Sequence, residues 1–130
     1  MSTTNNAVLQ AIGNNAQPQA LADNLVAGPA ATQGTAVRLP GNMNRCLKAA
    51  ATGSFILPSI GTGEANDTVW VINDTAVTIN VYPAAGEKMV SVANAAFAVT
   101  AGNSAVFVPV VNCVDNYPST LSWCAGLVTG

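Results

Sequence analysis

The groups in this 130-residue chain that could act on a substrate are six carboxylates, four cations and three thiols; histidine is absent. General acid–base work near neutral pH needs a group that titrates there, or paired carboxylates held in different environments. Asp23, Glu64, Asp67, Asp74, Glu87 and Asp115 are instead scattered, mostly through turn-like segments. A serine or cysteine nucleophile needs an adjacent base, for which only Lys48 and Lys88 are on hand, and neither GxSxG nor SxxK occurs. Glu64 and Asp67 in "GEAND", with Asp74 beyond, offer oxygen donors to a hard cation such as calcium, without the regular ligand spacing of a dedicated loop. "GTGEAN" opens like a phosphate loop but continues into neither GxGxxG nor GK[ST], so its glycines read as turn residues. The expectation is a chain with no catalytic residues, no cofactor and no metal.

The remaining polar and aromatic groups point the same way. Cys46, Cys113 and Cys124 form an odd set without CxxC spacing and read as reduced thiols, Cys46 facing inward. Cys113 and Cys124 flank "VDNYPSTLSW" and would face one another across a hairpin if oxidised. Two Asn-x-Thr sequons begin at Asn66 and Asn73 and read as turn asparagines beside strand threonines. Trp70, Tyr82, Tyr117 and Trp123 are the aromatic platforms on which a sugar would stack, or else filler for a core or an interface.

Composition narrows the partners. Arg38, Arg45, Lys48 and Lys88 make no basic stripe, so phosphate-rich nucleic acid is excluded. A net charge of -2 with 8% charged residues gives little mutual repulsion, and such a surface favours self-assembly or docking. No apolar run approaches the ~18 residues that span a bilayer, and "MSTTNNAVLQ" lacks the cationic start and apolar stretch of a signal peptide. No membrane partner is expected, and the place of synthesis is a cytoplasm.

Two periodicities divide the chain. Over 1–34, Val8, Leu9 and Ile12 before Gly13, and Leu21 and Leu25 before Gly28-Pro29, stand at helical spacing and predict an arm with short helical turns. From 35 to 130 the period is two. "TAVRLP", "NRCLKAAA", "GSFILPS", "TVWVIND", "TAVTINVYP", "KMVSVA", "AAFAVTA", "SAVFVPVV" and "TLSWCAGLV" read as strands, with prolines closing several of them. Asn73-Asp74 suits a tight hairpin, and Pro109 predicts an edge or a break in its strand. The expected fold is all-β, an antiparallel sandwich or jelly-roll-like domain of about eight short strands behind an N-terminal arm.

The succession "FILPS…GTGE…VWVINDTAVTINVYPAAGEKM…ANAAFAVTAGNSAVFVPV" resembles a small β-domain of tailed-phage structural proteins, namely head decoration or cement proteins and capsid-attached fibres. Leu57-Pro58, Val71, Asn73, Val81-Tyr82-Pro83, Gly86, Phe97, Gly102, Ala105 and Phe107 occupy the matching positions, over roughly residues 35 to 112. The resemblance implies a homotrimer on the capsid exterior of a virion, made in the host cytoplasm, that clamps neighbouring copies of the major capsid protein. It also makes 1–34 a capsid-contact arm, with Val8, Leu9, Ile12, Leu21 and Leu25 as anchors. The tail "NCVDNYPSTLSWCAGLVTG" departs from that pattern. The alternative is a carbohydrate-binding β-module of a phage fibre, with Trp70, Tyr82 or Trp123 as the stacking surface.

Overall fold

The computed structural model describes residues 21–29, 32–65, 67–111 and 121–128. These residues form eleven strands in two sheets and no α-helix. In chain order the strands are β1 (Leu21–Val26), β2 (Val37–Arg38), β3 (Met43–Lys48), β4 (Gly53–Ile56), β5 (Val69–Asn73), β6 (Ile79–Tyr82), β7 (Lys88–Met89), β8 (Val92–Ala93), β9 (Phe97–Val99), β10 (Ser104–Val111) and β11 (Leu121–Val128). One sheet runs β1-β3-β5-β10-β11-β7-β8 and the other β2-β4-β6-β9. The protein is an all-β domain.

The connectivity departs from the expected antiparallel sandwich. From β1 to β6 the chain alternates between the sheets, so β1, β3 and β5 are parallel neighbours in the large sheet and β2, β4 and β6 in the small one. The chain thus winds as a flattened coil of three turns. Its last turn is covered by antiparallel strands, β9 on β6 and the β10–β11 pair on β5. Asn73-Asp74 is therefore a crossing between sheets rather than a hairpin.

Proline explains where three of the four strands of the small sheet stop. Leu39 N–H donates to the Ile56 carbonyl at 3.1 Å and Leu57 N–H to the Tyr82 carbonyl at 2.9 Å, which extends the ladder by one bond per turn. Pro40, Pro58 and Pro83 follow at once, and proline has no N–H to carry the ladder further. Pro109 lies in the long strand β10, but beyond Phe107↔Val69, the last pair with β5, so only β11 pairs with it there.

Leu21 and Leu25, expected on a helical turn, lie in β1, which pairs in parallel with β3 through Leu21↔Met43 and Leu25↔Cys46. The spacing of four satisfies both a helix and a bulged strand, and the free edge of β3 decides between them. Asn24 adopts a φ of 61°, a left-handed conformation that asparagine tolerates, and the ladder register slips on either side of the next residue, Leu25. Val8, Leu9, Ile12, Cys113 and Tyr117 lie outside the described residues.

The core fills the space between the sheets. Val71, Ala105, Phe107 and Trp123 from the large sheet meet Phe55, Ile79, Val81 and Val99 from the small one, all without solvent exposure. The rings of Phe97 and Phe107 stack edge to face across this layer, 5.6 Å apart at 87°. Ile79 and Val81 face inward as their alternation predicts, but Tyr82 is buried too, at the corner where β6 ends.

Three buried polar side chains shape the crossings. Asn73 Nδ2 donates to the carbonyls of Val77, Val99 and Thr100 at 2.8 to 3.2 Å, while its Oδ1 accepts from the Thr75 N–H and hydroxyl. Asn44 does similar work at the other end of the large sheet, donating to Gly41 and Trp70 carbonyls at 2.8 and 3.1 Å. The Glu87 carboxylate accepts from Ser59 Oγ, Ile60 N–H and Gly61 N–H at 2.9 to 3.1 Å, and so fixes the loop after β4. Gly28 sits where a Cβ would lie 2.7 Å from the Thr35 carbonyl oxygen, which lets β1 lead onto the small sheet through its bridge to Ser54.

Candidate interaction surface

Of the carboxylates weighed as a site from sequence, Glu64 and Asp67 share one groove and Asp74 lies apart. Glu64 forms an ion pair with Arg38, and the hydrogen bond from that guanidinium holds the carboxyl below its ordinary value of 4.5. Asp67 caps the Thr68 N–H at 2.7 Å. Asp74 lies elsewhere, bound to Arg45 at 2.5 Å. Among the described residues no three potential ligands converge to hold a metal ion. An open groove of about 540 Å³ lies between the β2–β3 connection and the loop before β5. Its floor is Leu39 and Val69 and its rim carries Arg38, Glu64 and Asp67, an arrangement without a free base or nucleophile.

The thiols and aromatics divide in the same manner. Cys46 is buried as expected, and desolvation raises its thiol above the ordinary value of 9.0. Cys124 is exposed on β11. Trp123 and Tyr82 belong to the core, and the Trp123 indole N–H is buried without a partner among the described residues. Trp70 alone of the described aromatic platforms reaches the surface. Its neighbours in the same row are Met43 and Val106, and Arg45 and Ser104 stand in the next row.

That surface is the outward face of the large sheet. Alternation along β5 buries Val69, Val71 and Asn73 and turns Trp70 and Ile72 outward. The ladder places Leu21, Met43, Trp70, Val106 and Gly126 side by side in one row across β1, β3, β5, β10 and β11. The next row holds Arg45, Ile72, Ser104 and Val128, and Val108 pairs with Cys124 further along β10. Leu21 and Val108 are 45% and 41% exposed. Five strands, separated by four gaps of about 4.8 Å, and about six residues of length make this face on the order of 400 Å² in plan.

Its electrostatics are closed within the chain. Arg45, the cation beside Ile72, is taken up by Asp74 at 2.5 Å and Asp23 at 3.6 Å. The Asp74 hydrogen bond, reinforced by the charge of Asp23, pushes the guanidinium further towards its charged form. The face therefore presents apolar side chains around an arginine held between two carboxylates. Sequence alone carried a signal for it: "VWVI" and "AVFVPVV" are continuous apolar runs rather than alternations, as expected of strands covered on both faces.

No protein-family model, curated protein or solved structure matches this chain. What the surface can do is argued from its own geometry. Among the described residues it presents mainly apolar side chains, with Arg45 held by Asp74 and Asp23 and with the exposed Cys124 beside Val108.

Proposed function

We propose that this chain is a structural virion protein that binds the exterior of a phage capsid as a decoration or cement protein, acting as a homotrimer against the major capsid protein. The observation that carries the proposal is the outward apolar face of the seven-stranded sheet. The resemblance of residues 35 to 112 to phage head proteins supplies the identity of the partner. Binding to the assembled shell and not to free subunits stabilises the shell by mass action. The mechanism is adhesion, with apolar anchors at the centre of each contact and polar residues around them.

The test is cosedimentation of the purified protein with phage heads stripped of accessory proteins, beside free capsid subunits. Saturable pelleting with heads alone, and heads that resist a higher temperature once coated, is the expected result. Protein that stays in the supernatant at every head concentration overturns the proposal.

A further inference from the structure

The outward face of the large sheet is lopsided in a way that fits a second copy of itself. In the row through the centre of the face, β10 contributes Val106, with Trp70 on one side and Gly126 on the other. Tryptophan is the bulkiest residue and glycine has no side chain. A Cβ built on Gly126 would meet a single neighbour, Val106 Cγ1 at 4.0 Å, so the position opens onto free space. Glycine inside a strand weakens it, and its usual compensation is the close approach of another group.

We infer that Trp70 of one copy seats in the hollow over Gly126 of the next. The knob and the hollow flank the same strand at equal distance, about 4.8 Å to either side. Any closed assembly about an axis parallel to β10 therefore brings the Trp70 side of one face onto the Gly126 side of its neighbour. Two copies about a twofold axis meet this condition, and so do three facing a common threefold axis. Arg45 is already bound by Asp74 and Asp23, so among the described residues the face holds no unpaired cation for an acidic partner to meet. In a closed assembly, each copy contributes both its knob and its hollow.

This inference rests on the adhesive reading of the face given above, but its test does not need heads. Light scattering gives the mass of the wild-type protein, of Trp70→Ala and of Gly126→Val, with circular dichroism as the check on folding. The wild type is expected at two or three times the 13.1 kDa chain, and both variants at one. Cys124 lies beside the hollow on the same face, so its labelling by a maleimide, read on the Cys124 peptide, is expected to be slow in the wild type and at least tenfold faster in either variant. A wild-type monomer overturns the inference and leaves the face to residues 1–20 or to a foreign protein. An oligomer that both folded variants retain overturns it equally. A twofold mass upholds the Trp70–Gly126 contact while removing the homotrimer, and head binding is scored separately.

Discussion

At the scale of single residues, the side chains that matter most are amides placed where the chain changes sheets and a thiol buried within β3. Asn73 satisfies three carbonyls and a turn at once, and no other residue type of its size carries both a double donor and an acceptor. Asn73→Ala leaves those buried carbonyls without a partner and is expected to lower stability by about 3 kcal/mol, read from the urea midpoint at unchanged slope. Asn73→Asp keeps the acceptor and removes the donors, so it is expected to be no better than alanine at pH 7. Cys46 sets the alkaline limit. Its folded thiol titrates above 9.0, so its contribution is intact below pH 9.0 and falls as pH rises from there towards the raised folded value. Denaturation of the wild type between pH 8 and 10.5 should show that decline, and Cys46→Ala should flatten it.

At the scale of elements, the strands were legible and their partners were not. Short alternating or apolar runs bounded by turn residues located β2 to β6 and β9 to β11, because those patterns mark a pleated strand whatever it pairs with. Sheet membership is another matter. Asn73-Asp74 and Gly102-Asn103 have the chemistry of hairpin turns, but each lies where the chain passes from one sheet to the other. The same Asn and Gly conformations serve a sharp turn and a crossing, and only the long-range register separates them. The recurrence of Leu39-Pro40, Leu57-Pro58 and Tyr82-Pro83 at the end of successive small-sheet strands was the trace of the coil in the sequence. The outward face was half legible, through the apolar runs of β5 and β10, while the role of Gly126 depended on knowing that Val106 and Trp70 share its row. For β1 the helical spacing misled, since Leu21 and Leu25 satisfy two periods. A chain lacking residues 1–28 is expected to be about 2–4 kcal/mol less stable than one lacking residues 1–20, because the extra cut removes the β1 ladder and uncovers β3. Equal unfolding midpoints for the two truncations would show that β1 adds nothing to the sheet.

At the scale of the whole molecule, the bland charge of the chain and its apolar face belong together. A net charge of -2 does little to keep copies apart, and the one cation set in the face is neutralised from within. Association is then governed by shape, and salt should barely affect it: raising ionic strength from 50 to 500 mM is expected to leave the oligomer mass unchanged, as screening acts on exposed charge. A mass that falls steeply with salt would point to an interface made of ion pairs instead.

The winding of the chain between its sheets also has a mechanical meaning. In a sandwich built of hairpins, each sheet is continuous in itself and a pull normal to one face opposes only the packing between layers. Here every connection from β1 to β7 passes from one sheet to the other, so covalent chain stitches the layers together along their length. Tension applied at the outer face of the large sheet is shared at once with the small sheet, and the layers cannot delaminate before the coil unwinds. A protein gripped by one face and loaded from behind would tear at its contacts before it tore within itself.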